Sequence, residues 1–97
     1  MKLLEYKTKF VATPPKHSEL EDGVLYVLPH CNCAIHKCMC GCKDVVVLAI
    51  DENNGKEPYF WGWTYTDGNV SITPSVGNFQ FPCKSHYFLQ HGKVKWC

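Results

Sequence analysis

The sequence contains no arginine, and all ten of its basic residues are lysine. The guanidinium group is the side chain that grips carboxylates and phosphates in a bidentate manner, so this mode of recognition is excluded. The formal net charge is only +1, and like charges never form a long run. Because nucleic-acid-binding domains usually present a basic stripe, we expect no nucleic-acid partner.

Long hydrophobic runs are also absent. The longest, Val45–Ile50, is far shorter than the ~20 apolar residues that a membrane-spanning helix requires. The first residues, Met1–Lys7, alternate charged with apolar side chains and lack the apolar core of a secretory signal. The sequence therefore predicts a cytoplasmic protein without a membrane partner.

Cysteine is the residue in surplus, with seven in a chain of 97 residues. This length predicts a single domain, residues 1–97, and a chain this short buries only ~60–65% of its unfolded surface. Small domains with many cysteines are usually held together by disulfides or by a metal. An odd number of cysteines prevents full internal pairing, which favours a metal in a reducing compartment.

The hydrophobic pattern is almost entirely that of strands and turns. Apolar and polar side chains alternate along Leu4–Ala12, and the apolar Val45–Ile50 run predicts a strand covered on both faces. Asp67-Gly68 and His91-Gly92 predict two hairpins. We therefore expect an all-β or β-rich fold of six or seven short, mostly antiparallel strands, stapled by a metal site.

Three further stretches need separate interpretation. Residues 30–43 are too dense in small and liganding side chains to predict a regular element, and residues 84–90 fit either a strand or a short helix. The third is a row of alternating aromatic side chains: Tyr59, Trp61, Trp63 and Tyr65. Each aromatic side chain buries ~150–250 Å², so core packing is favoured over a ligand platform.

Liganding residues are concentrated in two motifs that lie about forty positions apart. The first is His36-x-Cys38-x-Cys40-Gly41-Cys42 and the second is Cys83-x-x-His86. Structural zinc sites take four nitrogen or sulfur ligands, usually as two close pairs. If the first motif is extended, its ligands project from one face at ~6.6 Å intervals. Gly41 permits a turn that would return Cys40 or Cys42 to the same ion.

The two motifs together supply six candidate ligands for Zn²⁺: His36, Cys38, Cys40, Cys42, Cys83 and His86. The spacing favours Cys83 and His86 of the second motif most strongly. It does not identify which four of the six candidate ligands bind the ion. Cys31 and Cys33 lie farther from the glycine turn, and Cys97 is the last residue, so all three rank lower. Zinc is preferred over an iron–sulfur cluster because histidines stand among the ligands. Buried free thiols, the alternative, explain one or two cysteines but not this pattern.

Five segments, which run in order over about residues 10–96, resemble a family of small bacterial and phage zinc-binding domains of unknown function. They are Gly23–Val27, His36–Cys42, Pro74–Asn78, Phe81–Tyr87 and Val94-x-Trp96. The resemblance implies the same six ligand positions. Some members of this family stand beside bacterial ubiquitin-like conjugation genes, which implies a ubiquitin-like protein as a partner and a zinc-dependent peptidase activity.

The chain departs from this family around residues 29–33. Members tend to have acidic residues where Pro29 and His30 stand, and they lack the cysteines at positions 31 and 33. A hydrolytic zinc site needs a base that activates water, most often a glutamate. The remaining candidates for moving protons are His30, His36, Asp44 and Ser85, and their spacing does not distinguish between them.

Three functions remain as hypotheses. The preferred one is a zinc-binding small β domain that acts as a metal-stapled protein-interaction module, because metal binding contributes folding free energy directly. The alternative is a zinc-dependent peptidase that acts on the tail of a ubiquitin-like or similar small protein, with an open coordination position for water. A nucleic-acid-binding zinc ribbon is the lesser alternative because the charge is balanced.

Overall fold

The computed structural model describes residues 2–51, 61–78 and 81–97. Within these residues the fold is all-β, as the sequence predicts, but with eight strands instead of six or seven. The strands are β1 Lys7–Phe10, β2 Val24–Leu28, β3 Cys33–Lys37, β4 Val45–Asp51, β5 Trp61–Thr66, β6 Asn69–Gly77, β7 His86–Gln90 and β8 Lys93–Trp96. Two short 3-10 turns, His17–Glu19 and Pro29–Cys31, complete the described secondary structure.

The strands form one sheet in which each strand pairs with its neighbours in the chain. Pairing is antiparallel except between β1 and β2 and between β4 and β5. The segment before β1 also pairs with β8, since the amide of Tyr6 donates to the carbonyl of Gly92 and the amide of Val94 donates to the carbonyl of Leu4, each at 2.9 Å. The segment that leads into β1 therefore lies beside β8, the last strand of the sheet.

Both predicted hairpins are present, and each has a two-residue turn. Asp67 and Gly68 connect β5 to β6 with φ angles of 51° and 85°, and His91 and Gly92 connect β7 to β8 with φ angles of 51° and 79°. Two positive φ angles define the type I′ turn, whose twist matches that of the flanking strands. Residues 84–90, which also fit a short helix, contain strand β7 instead.

The main core lies on one face of the sheet, and a smaller apolar cluster lies on the other. β2 contributes to both, because Leu25 and Val27 pack in the main core while Tyr26 and Leu28 pack in the smaller cluster. The prediction that Val45–Ile50 is covered on both faces is wrong: Val47 is 60% exposed. A run of apolar residues predicts burial of a strand but does not identify which strand has a layer on each side.

The aromatic row on β5 packs partly against the main core. Trp61 and Trp63 are half-buried and contact the core, whereas Tyr65 is exposed and packs against Phe10 with ring centroids 5.4 Å apart. Tyr59 lies outside the described residues. None of the helical segments that the structure describes is both long and apolar enough to cross a bilayer.

Candidate metal centre and a serine–histidine pair

Four cysteines from two distant parts of the chain meet at one end of the main core. Cys38 directly follows β3, Cys40 and Cys42 lie in the turn between β3 and β4, and Cys83 precedes β7. Their four sulfur atoms all lie within 4.8 Å of one another. No other group of three or more potential metal ligands comes together in the described part of the chain.

The sulfur positions fit a tetrahedral metal. The Sγ atom of Cys38 lies 3.4 Å from that of Cys40 and 3.8 Å from that of Cys83, and the Sγ atoms of Cys42 and Cys83 are 3.6 Å apart. With zinc–sulfur bonds of ~2.3 Å, tetrahedral geometry places sulfur atoms ~3.8 Å apart. Four sulfur atoms at this spacing can hold a metal ion in tetrahedral coordination.

The turn that carries three of these cysteines has the geometry expected from Gly41. The amide of Gly41 donates to the carbonyl of Cys38 at 3.1 Å, and Gly41 adopts a φ angle of 88°. The amide of Cys42 then donates to the Sγ atom of Cys40 at 3.3 Å. The amide of Cys38 closes the turn by donating to the carbonyl of Asp44 at 2.8 Å. This short loop therefore points all three thiols in one direction.

The thiols of the cluster differ in acidity. Hydrogen bonding from Ser85 lowers the pKa of Cys83 to about 6, because it favours the thiolate. Desolvation raises the pKa of Cys40 and Cys42 above the ordinary value. The contact with Ser85 therefore favours the thiolate of Cys83, and a bound cation would displace the remaining thiol protons.

His36, one of the predicted ligands, lies in the protein interior outside the four-cysteine group. Its Nε2 atom is 2.7 Å from the Tyr87 hydroxyl, and burial lowers the pKa of His36 to about 3. The Tyr87 oxygen accepts from the Asn78 amide group at 3.3 Å and from the Met39 amide at 3.4 Å. A Tyr87 oxygen that accepts both of these bonds has its own proton available for the Nε2 atom of His36. Nδ1 has no hydrogen-bond partner among the described residues.

His86, the other predicted histidine ligand, also lies outside the group, since it points away from the cysteines. The preceding residue, Ser85, has its Oγ atom 2.9 Å from the Sγ atom of Cys38 and 3.5 Å from that of Cys83. Successive side chains of an extended backbone point to opposite faces. Because Ser85 faces the cluster, His86 faces the other side of β7.

On that side, His86 meets a serine. The Oγ atom of Ser75 on β6 lies 2.6 Å from the Nε2 atom of His86, the first residue of β7. Both side chains are half-buried, so a molecule from solvent can reach them. A serine hydroxyl that donates to a histidine nitrogen is the arrangement by which enzymes activate serine as a nucleophile.

A bulge in β6 brings Ser75 to this position. β6 pairs Ile72 with Leu89 and then Val76 with Tyr87, so that residues 73–75 occupy the length that β7 spans with one residue. Bulges bend a strand and re-aim its side chains, and they are frequent beside active sites. The indole nitrogen of Trp61 holds the bulge by donating to the carbonyl of Ser75 at 3.2 Å.

Asn78 connects the strand that carries Ser75 to the one that carries His86. Its backbone amide donates to the carbonyl of Ser85 at 2.8 Å, and its Nδ2 atom donates to the Ser85 hydroxyl at 2.9 Å. Nδ2 also lies 3.5 Å from the Sγ atom of Cys38. Asn78 and Ser85 are both buried, so these bonds are shielded from competing water.

Residues 10–97, nearly the whole chain, match the model of a family described as "Bacterial ubiquitination-like system serine protease (BubE)". The chain belongs to the BubE family. Comparisons with curated proteins and with solved structures gave no match. The BubE match confirms the resemblance to a bacterial family linked to ubiquitin-like conjugation. Its description names a serine protease, however, whereas the resemblance implied a zinc-dependent peptidase.

The sequence identified the four clustered cysteines of this BubE chain but not Ser75 as the partner of His86. The available signal was Pro74, since a proline inside a strand is usually found at an edge or a bulge. β6 continues past this proline to Gly77. The side chains of Cys31, Cys33 and Cys97 lie outside the cluster.

Proposed function

We propose that this chain is a serine peptidase of a bacterial ubiquitination-like system, with Ser75 as the nucleophile and His86 as its general base. The distance of 2.6 Å between Ser75 Oγ and His86 Nε2 is the observation that carries this proposal. It lies within the range over which a histidine accepts the proton of a serine nucleophile. The BubE description supports the same reaction class.

Ser85 is the competing candidate for the nucleophile, because it directly precedes His86 in the sequence. Its hydroxyl, however, contacts the Asn78 amide group and the Cys38 sulfur, neither of which is a general base. Ser85 is also buried, with 8% of its surface exposed, while Ser75 is half-buried. Accessibility and the neighbouring histidine therefore both favour Ser75.

The dyad supports a two-step acyl transfer. Ser75 Oγ attacks the scissile carbonyl carbon while its proton passes to His86 Nε2, which then protonates the leaving amine as the carbon–nitrogen bond breaks. The resulting ester on Ser75 is hydrolysed by water, whose proton is taken by His86. The proton then returns to Ser75 Oγ when the carboxylic acid product leaves.

We assign the four-cysteine cluster to a structural zinc ion held by Cys38, Cys40, Cys42 and Cys83. Four thiolate ligands occupy all four coordination positions of a tetrahedral zinc ion, whereas a catalytic zinc site keeps one position for water. The ion would supply folding free energy and fix the loop before β7. A zinc-dependent peptidase is therefore less well supported than a zinc-stapled serine peptidase. Cysteines that bind a metal instead of forming disulfides also support a reducing, cytoplasmic location.

The substrate we propose is a ubiquitin-like protein whose chain continues past its conjugation terminus, or a conjugate of that protein. Support comes from the family description, which places BubE proteins in a ubiquitination-like system. The preferred sequence-based hypothesis, a metal-stapled interaction module, would use the same partner without cleaving it. The following experiment separates the two functions.

Ser75→Ala should abolish cleavage of a C-terminally extended ubiquitin-like protein, with kcat reduced at least ~10³-fold, because the nucleophile is lost. His86→Ala should give a similar loss. A fluorophosphonate probe should label the wild-type protein at Ser75, and peptide mass spectrometry identifies the modified residue.

The control is Ser71→Ala, a buried serine near the other end of the same strand whose hydroxyl accepts from the His91 amide at 2.9 Å. This variant should cleave and label as the wild type does. Labelling at Ser85 would contradict our choice of nucleophile. Binding of the ubiquitin-like protein without cleavage or labelling would favour the interaction module.

A further inference from the structure

The buried contacts of Ser85 link the metal cluster to the proposed catalytic base. Its hydroxyl lies 2.9 Å from the Sγ atom of Cys38, and the next residue in the chain is His86. A cysteine that binds a metal does so as a thiolate, which can only accept hydrogen bonds. With metal bound, the Ser85 hydroxyl therefore donates to a cluster sulfur, and the Sγ atom of Cys38 is nearer, at 2.9 Å, than that of Cys83, at 3.5 Å.

This orientation of the hydroxyl completes a second bond. Once its proton points to Cys38, the Ser85 oxygen presents a lone pair to the Nδ2 atom of Asn78 at 2.9 Å. The Asn78 backbone amide already donates to the Ser85 carbonyl at 2.8 Å. Ser85 is thus held at its side chain and at its backbone, which restricts rotation of the backbone that leads into His86.

The same hydrogen bonds between Asn78 and Ser85 also restrain Ser75, the other member of the dyad. Asn78 follows Gly77, the last residue of β6, and lies three positions after Ser75. The Asn78–Ser85 bonds therefore fix the spacing between the ends of β6 and β7, just where the 2.6 Å contact between Ser75 and His86 forms. A misplacement of about 1 Å at a catalytic contact is enough to reduce a rate ~100-fold.

We propose that Ser85 is a positioning residue, through which metal bound at the four-cysteine site holds His86 in line with Ser75. The inference rests on the proposed serine peptidase function for its catalytic consequence, but the positioning itself is a property of the folded chain. Hydrogen bonds to metal ligands of this kind also strengthen metal binding, typically by ~10–100-fold.

Ser85→Ala tests the proposal, with Ser71→Ala as the matched buried-serine control and Ser85→Thr as the conservative variant that keeps the hydroxyl. At saturating Zn²⁺, Ser85→Ala should lower kcat ~10-fold or more, with KM little changed, because substrate contacts remain. Its zinc affinity, measured by chelator competition, should fall ~10-fold. Ser85→Thr should recover most of both losses, and Ser71→Ala should show neither.

NMR provides a readout that does not depend on activity. In the zinc-loaded wild type, a nuclear Overhauser effect should connect the His86 ring to the Ser75 β-protons, and it should weaken in zinc-loaded Ser85→Ala. If Ser85→Ala does not fold, Asn78→Ser is the second variant, because it removes the hydrogen bond from the Asn78 side chain to the Ser85 hydroxyl. It should weaken the same nuclear Overhauser effect. An unchanged contact in the folded variant would overturn the proposal, as would a kcat equal to that of Ser71→Ala.

The two proposals can fail separately. If the wild-type protein cleaves nothing while the NMR contact still weakens in Ser85→Ala, the peptidase function is wrong and the positioning role stands. If cleavage depends on Ser75 but neither kcat nor the NMR contact responds to Ser85→Ala, the peptidase function stands and the positioning role is wrong.

Discussion

Tyr6 is a buried tyrosine whose hydroxyl donates to the carbonyl of Val70 at 2.6 Å. Burial raises the pKa of Tyr6 above its ordinary value of 10.0, because the phenolate would lose its hydration. The unfolded chain therefore releases this proton at a lower pH than the folded chain. The stability that Tyr6 contributes is complete below about pH 10 and is lost as the pH rises through the higher pKa of the folded state.

Urea denaturation of the wild type and of Tyr6→Phe on both sides of pH 10 measures this effect. At neutral pH, Tyr6→Phe should be less stable by about 1 kcal/mol, because one buried hydrogen bond is lost. The difference should shrink as the pH rises above the ordinary tyrosine pKa. If the difference in free energy of unfolding does not depend on pH, folding does not raise the pKa of Tyr6.

At the residue scale, the sequence predicted the residue types of the candidate metal site. It was less successful in predicting which particular residues lie together. His36 and His86 match the ligand spacing as well as the cysteines do. His36, however, points to the Tyr87 hydroxyl, and His86 points to Ser75. These orientations depend on strand alternation and on contacts between residues up to 51 positions apart, which spacing alone does not reveal.

At the scale of secondary structure, the two type I′ turns allow a matched comparison of glycines. Gly68 and Gly92 have similar φ angles of 85° and 79°. A Cβ atom at Gly68 would meet no atom within 4 Å, whereas one at Gly92 would lie 3.0 Å from the Asn69 amide nitrogen. Gly68→Ala should therefore cost about 1–2 kcal/mol from the left-handed conformation alone, and Gly92→Ala should cost more.

Chemical denaturation of the two variants checks the order of these free energies of unfolding. Adding Asn69→Ala to each should remove most of the difference, because the atoms that crowd the new Cβ atom belong mainly to the Asn69 side chain. Equal losses in the two single variants would mean that the Asn69 side chain moves aside without cost.

The sequence located most strands but could not reveal the bulge in β6. Hairpin turns are encoded locally by Asp67-Gly68 and His91-Gly92, since positive φ angles select specific residues. The bulge instead results from the pairing of β6 with β7, where the register changes between Ile72 and Val76. Register depends on the partner strand, so this feature could not be predicted from the residues around Ser75.

At the scale of the whole molecule, stability should depend on the metal. A 97-residue chain has a small core, and domains of this size are stable by only ~5–15 kcal/mol. The four-cysteine site joins the β3–β4 turn to the loop before β7. Removing zinc with a chelator should lower Tm by at least ~10 °C, since ~1 kcal/mol corresponds to ~4–8 °C in a domain of this size.

Thermal unfolding followed by circular dichroism, together with metal analysis, tests this dependence. Cys83→Ser should lose zinc and melt like the chelated protein. Cys97→Ser is the control, because Cys97 is exposed and lies outside the cluster, and it should retain both zinc and Tm. A chelated protein that loses its metal but not its thermal stability would show that the site does not staple the fold.

The β class of this protein, its hairpins and its two cysteine-containing motifs can be read from local patterns, because turn conformations and side-chain alternation depend on neighbouring residues. Tertiary structure selects four cysteines, turns two histidines away from them and sets Ser75 against His86. These outcomes depend on strand register and on which face each side chain takes, and both are determined by packing between distant segments.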